Sequence, residues 1–389
     1  MLARRMDRVT ASAIMELIKT TAAGSYISFA SGLPDPALFP AETLATLTEQ
    51  TLTQDGRAAL QYGPAEGYPP LRDAVAELLR RRGFRATPDH VLITNGSQQA
   101  LDLAARLMLN PGDTVALENP SYLAAVQAFD SYEARYRTLP LDEAGMCLDT
   151  LPEVLAGRPR LLYTLPNFQN PTGLTLSPER RQRLAELAAG AEVPVLEDDA
   201  YHDLSYEGEA PQPVCSLAEN PGAVYTGTFS KTVAPGLRVG YLCAAPALVE
   251  RLAQLKQITD LHTGSLTQRV VYRYITGGHL EPGIEILRQT YRARRDVMLA
   301  ALDAELSDCA EWTRPRGGMF VWVRLPPGCR AGEILKHALA LGVVFVPGAS
   351  FHPESGGENT LRLNFVSSTE EKIRAGIPLL ARAIREVLA

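Results

Sequence analysis

Between residues 89 and 243 short apolar, β-branched runs bounded by turn residues alternate with longer stretches whose apolar positions recur at helical spacing. That alternation predicts an α/β architecture, a mainly parallel central sheet flanked by helices. Strands are expected over 91–94, 114–118, 161–165, 193–197, 224–228 and 240–244, and helices over 98–109, 122–130 and 178–189. The last helix opens with Ser177 as N-cap and Pro178 at the first helical position, where a missing N–H costs nothing. Upstream, a helical stretch over 12–20 leads into SGLPDPALFP, whose Pro34, Pro36 and Pro40 exclude regular helix and predict an ordered loop; a helix over 42–53 follows. Downstream, an arginine-rich helix is expected over 284–306 with its arginines on a solvated face. GGMFVWVRLP, VVFVPG and NTLRLNFV then read as strands of a smaller α+β unit, and a helix over 370–388 closes the chain. The expected division is a large domain over 45–285 and a small one formed jointly by 1–44 and 286–389.

Composition narrows the partners. The 389 residues are 46% apolar and 21% charged, as in a soluble globular protein. A net charge of -6 leaves no surplus of cations for a phosphate backbone, which excludes nucleic acid as the main partner. Five cysteines, an odd number without a C-x-x-C pair, argue against a disulfide scaffold or a cysteine-built zinc site and fit a reducing cytoplasm. The N-terminus lacks the continuous apolar stretch of a secretory signal. The longest apolar-leaning run, 338–351, is broken by Gly342, Pro347 and Gly348 and falls short of a membrane span.

In open parallel sheets ligands bind beyond the carboxyl ends of the strands, and here those ends carry reactive residue types. The strand ending at Thr94 runs through Asn95 and Gly96 into a helix, so the amides of Ser97 and Gln98 could hold an anion; the plainer reading is a serine cap. Asn170, in Asn170-Pro171-Thr172-Gly173, could be only a turn former. Asp198 and Tyr201 stand three residues apart at another strand end, and no third oxygen ligand accompanies Asp198 and Asp199 at metal spacing, so no metal is expected. Thr228, Ser230 and Lys231 follow at the next strand end, with Arg238 seven residues on. This is not a Walker A loop. A partly desolvated lysine there would be a nucleophile toward carbonyls, whereas a solvated one would be a surface group.

Taken together, a phosphate cradle, an asparagine, an aspartate with a tyrosine, then Thr-x-Ser-Lys and an arginine are the parts needed to hold pyridoxal 5'-phosphate. The chain resembles the fold-type I, class I/II aminotransferases, most closely their 2-aminoadipate, kynurenine and aromatic subgroup. The resemblance runs from SFASGLPDPALFP through LQYGPAEGYPPLR, LITNGSQQALDL, PNFQNPTG, LEDDAYHDL, GTFSKTVAPGLRVGY and RPRGGMFVWVRLP to ENTLRLNF. It implies that Lys231 joins the cofactor aldehyde and shuttles the substrate Cα proton, and that Asp198 faces the pyridine nitrogen. Tyr201 and Asn170 would bond the ring oxygen and Tyr122 would stack on the ring. Ser97, Gln98, Thr228, Ser230 and Arg238 would hold the phosphate. Tyr62 would reach the phosphate of a neighbouring subunit in a homodimer; on its own it reads as a partly buried loop aromatic. Arg362, alternating with Leu361 and Leu363 on a strand, would grip the substrate α-carboxylate, with Gly32 bringing backbone close to the same substrate.

One departure concerns substrate choice. In relatives that prefer acidic substrates, an arginine on the N-terminal helix meets the distal carboxylate, in a segment resembling the one here that holds Ser12 and Met15. Met15 cannot pair with a carboxylate. Apolar or aromatic amino donors are therefore expected over 2-aminoadipate, with a 2-oxo acid such as 2-oxoglutarate as acceptor. The alternatives are other chemistry on the same fold, such as a β-lyase, and a regulator-type effector domain without catalysis.

Overall fold

The computed structural model describes residues 2–8, 17 and 26–388. Its largest element is an eight-stranded sheet with the spatial order Val91–Thr94, Gly240–Ala244, Val224–Thr228, Val195–Asp198, Leu161–Thr164, Thr114–Asn119, Arg135–Asp142 and Gly145–Met146. The strands from Val224–Thr228 to Arg135–Asp142 run parallel, and Gly240–Ala244 lies antiparallel to both of its neighbours. Alternate residues serve opposite faces. Leu161, Tyr163 and Leu196 join one apolar layer with Leu101 and Leu252, whereas Leu162 and Val195 join another with Leu184 and Ala188. Burial on both faces explains why these strands read as nearly continuous apolar runs.

A second sheet of four strands, Glu311–Trp312, Phe320–Arg324, Thr360–Asn364 and Val346–Pro347, is antiparallel throughout. It packs with helices Leu280–Leu306 and Glu370–Leu388, the latter burying Ile373, Ile377, Leu380 and Ile384 at helical spacing. Each such side chain contributes about 1.5–3 kcal/mol of burial. The start of the chain is tied in here: Ile27–Ser28 pairs in parallel with Val343–Val344, and Asn364 N donates to Phe29 O at 2.8 Å.

Two readings of the sequence change. The helix ending at Leu306 begins at Leu280, and its arginines are not all solvated. Arg294 and Arg295 are buried, paired with Asp35 and Glu207 at 2.7 and 2.6 Å. The strand Arg135–Asp142, unexpected from its polar sequence, extends the sheet beyond Thr114–Asn119.

Candidate active site

All the parallel strands of the large sheet end on one edge, so the loops that follow them converge. They line a cavity of about 320 Å³, closed on its other side by Gly32, Leu33 and Arg362.

One end of this cavity is built for an anion. The helix Ser97–Met108 starts after Gly96, at φ 75°, with no side chain capping it, so the serine-cap reading does not hold and the first amides stay open toward a ligand. Arg238 lies against the same turn, held by Asn95 O at 3.0 Å and Pro235 O at 3.2 Å. It adopts a left-handed φ of 53°, an uncommon backbone state for a non-glycine residue. Thr228 and Ser230 complete this end, joined Oγ to Oγ at 2.9 Å.

Deeper in the cavity, Asp198 is 2% exposed, and its Oδ2 accepts from the Tyr163 hydroxyl at 3.1 Å. Its Oδ1 is buried with no partner. Burial pushes this carboxyl up to about 7. The Lys231 amine donates to Gly32 O at 3.0 Å and is brought down to about 8 by burial, with Arg362 and Arg238 adding repulsion against Asp198. Tyr122 and Tyr201 complete the walls, both phenols raised chiefly by burial.

Arg362 closes the far wall at 2% exposure. Its guanidinium lies between the rings of Phe320 and Phe351, 4.2 and 4.8 Å from their centroids. It donates to Asn170 Oδ1 and to Ala30 O, each at 2.8 Å, and its Nε has no partner. Burial lowers it to about 10, so it stays cationic at neutral pH.

Residues 25–378 match the model of the family described as aminotransferase class I and II. The chain belongs to the class I and II aminotransferases. It is 46% identical over 387 residues to a 2-aminoadipate transaminase of Thermus thermophilus, covering 98% of this chain and 96% of that one. An aromatic-amino-acid aminotransferase of Thermococcus litoralis is 43% identical over 383 residues, 97% of this chain and 92% of the relative. The solved alpha-aminoadipate aminotransferase of Thermus thermophilus, complexed with N-(5'-phosphopyridoxyl)-L-leucine, superposes with a TM-score of 0.93 at 43% identity, covering 100% of this chain and 98% of that one. This aminotransferase therefore uses pyridoxal phosphate and moves an amino group from an α-amino acid to a 2-oxo acid; neither a β-lyase nor a regulator role is favoured.

Of the residues singled out in its sequence, Gly32, Ser97, Gln98, Tyr122, Asn170, Asp198, Tyr201, Thr228, Ser230, Lys231, Arg238 and Arg362 all line the one cavity. Tyr62 does not: it is 76% exposed and makes an edge-on contact with His262 elsewhere on the surface. Ser12 and Met15 lie outside the described residues. Tyr163 and Gly96 back this aminotransferase site without lining it, through Asp198 and Arg238, and neither is among the residues singled out for a role. The signal for Gly96 was its place between a strand and a helix; for Tyr163 it was one hydroxyl inside the apolar run Leu161–Thr164. Among the described residues no group of three or more His, Cys, Asp or Glu could hold a metal ion, and no helix is long and apolar enough to cross a membrane.

Proposed function

We propose that the enzyme transfers the amino group of an apolar or aromatic amino acid, with Lys231 as proton carrier and Arg362 as carboxylate clamp. The carrying observation is that a desolvated amine and a ring-flanked arginine face one cavity whose further lining includes Leu33, Leu123, Ala124 and Ala200. The cations among its described lining residues are Lys231, Arg238 and Arg362, and each of these three already has a role toward the cofactor or the α-carboxylate. Met15 at the N-terminal position supports the same preference.

The fit of pyridoxal phosphate rests on the unpartnered Asp198 Oδ1, the uncapped helix end beside Arg238, and the buried Lys231 amine. When bound, the cofactor supplies an aldehyde that amines can join and a ring that takes up the electron pair left at Cα. Arg238, Thr228, Ser230 and the amides of Ser97 and Gln98 would bind its phosphate, and Tyr122 would cover the ring. Asp198 would keep a proton on the ring nitrogen, and Asn170 and Tyr201 would bond the ring oxygen. Arg362 orients the substrate by its carboxylate, and Lys231 Nζ accepts the proton from Cα, its lowered pKa leaving part of it neutral near pH 7.

The test is kcat/KM for leucine, phenylalanine, kynurenine and 2-aminoadipate with 2-oxoglutarate as acceptor. A clear win for 2-aminoadipate would overturn the substrate assignment.

Exposed Tyr62, with Leu60, Ile258 and Leu261 also exposed, supports a homodimer in which Tyr62 reaches the partner's phosphate site. Sedimentation as a monomer at micromolar concentration would overturn this. The separation of the eight-stranded sheet from the four-stranded one, with Ile27–Ser28 pairing to Val343–Val344, supports domains over 45–285 and over 1–44 with 286–389. Five unpaired cysteines support a reducing, cytoplasmic setting.

A further inference from the structure

Asp198 is held from behind by a residue on the neighbouring strand. Strands Leu161–Thr164 and Val195–Asp198 run parallel with Tyr163 opposite Leu196. Asp198, two residues on, falls on the same face as Tyr163, which puts phenol and carboxylate within reach. Tyr163 is fully buried, and its ring packs edge-on against Phe129 at 5.5 Å, which fixes where the hydroxyl points. That hydroxyl is at 3.1 Å from Asp198 Oδ2, whereas Oδ1 is bare.

We propose that Tyr163 is a positioning residue: by holding Oδ2 it orients Asp198 and leaves Oδ1 as the oxygen that meets the cofactor's ring nitrogen. The inference rests on the assignment of Asp198 made above.

The surroundings make this bond consequential. Burial disfavours the charged carboxylate most, and the charges of Asp199 and Glu118 add to that; Lys231 and the Tyr163 hydroxyl oppose it. Asp199 itself is held ionised by His202 and Arg82 on the opposite face, so its charge persists. Glu118 is raised by burial and tied to Thr164, Leu165 and Gln169. Tyr163 is pushed far above the ordinary phenol value by burial and by Asp198, so it remains a donor wherever the protein is folded. A donor that cannot ionise and cannot swing is suited to fixing one oxygen of a carboxylate.

The experiment is Tyr163→Phe, which keeps the ring and removes only the hydroxyl. The dissociation constant for added pyridoxal phosphate is measured against pH by visible absorbance, with kcat, KM and the thermal midpoint of the unloaded protein alongside. Loss of a bond to a charged group predicts binding weakened about ten-fold or more at neutral pH. Without the hydroxyl Asp198 ionises at higher pH, so the acid limb of cofactor binding moves upward. The kcat falls while KM changes little. In an Asp198→Asn background, Tyr163→Phe adds no further loss, which separates the effect from general destabilisation. A wild-type pH profile in Tyr163→Phe, or an undiminished loss in the double variant, overturns the inference. If Asp198→Asn alone binds the cofactor as tightly as wild type, the assignment of Asp198 fails instead.

Discussion

Arg362 Nη1 donates to Asn170 Oδ1 at 2.8 Å, so the proposed carboxylate clamp and the proposed ring-oxygen donor orient each other. The second amino group is fixed on Ala30 O, and the flat guanidinium fits between two rings. Lysine keeps the charge but not the fork or the stacking. Arg362→Lys is expected to lower kcat/KM for the amino acid by about 30- to 1,000-fold, or roughly 2–4 kcal/mol, with the cofactor retained. Steady-state kinetics with a spectral titration of the cofactor checks both halves.

Lys231 supplies a pH dependence. Its amine is brought down to about 8 by burial and by the two arginines, so the neutral form grows as pH rises toward that value. Uptake of pyridoxal phosphate by the unloaded protein should therefore speed up about ten-fold per pH unit below 8 and level off above it. Stopped-flow absorbance at several pH values reads this directly. Lys231→Ala should show neither the visible band nor turnover, and retained turnover would refute its role.

Asp198 carries a cost in the unloaded protein. Its carboxyl is raised to about 7 from an ordinary 3.8, so the folded chain binds more protons than the unfolded one between those values. Stability from this group is present at low pH and is lost as pH rises through that window. Asp198→Asn removes the buried charge, and the unloaded variant is expected to be more stable above pH 7 by about 2–4 kcal/mol. The same variant should bind the cofactor more weakly. Thermal melts with and without cofactor would show the two effects with opposite sign.

Gly96→Ala tests the anion end. A Cβ there would stand 2.5 Å from Arg238 Nη2, on a backbone at φ +75°. The arginine's far end is the group that can move, so strain of about 1–3 kcal/mol is relieved by displacing the guanidinium from the turn. Cofactor affinity is expected to fall at least ten-fold, with a smaller loss of thermal stability. Equilibrium dialysis against pyridoxal phosphate gives the decisive number.

The strands at 91–94, 224–228 and 240–244 were legible with their bounds because continuous apolar runs between turn residues have few other solutions. Ser97, Asp198, Tyr201, Thr228, Ser230 and Lys231 were legible because they sit at or just after strand ends, whereas Arg362, inside Thr360–Asn364, and Gly32 came from the resemblance. Arg135–Asp142 was not legible, since it alternates exposed and half-buried positions near the sheet margin, and polar residues there resemble a loop. Arg294 and Arg295 looked solvated because helical spacing says nothing of Asp35 and Glu207 arriving from distant segments. Tyr163 was not singled out for a similar reason: its link to Asp198 exists only once two strands are known to be parallel neighbours.

The Arg362 bond to Ala30 O joins residues 332 positions apart, and the Lys231 bond to Gly32 O spans 199. The residues of the anion end, by contrast, lie between 96 and 238, and the strand Gly240–Ala244 that joins the two strands carrying them follows at once. During synthesis a growing chain therefore has the parts that grip a phosphate well before it has the wall that receives an amino acid. The wall that receives the amino acid is thus assembled from the two ends of the chain, whereas the phosphate grip comes from its middle.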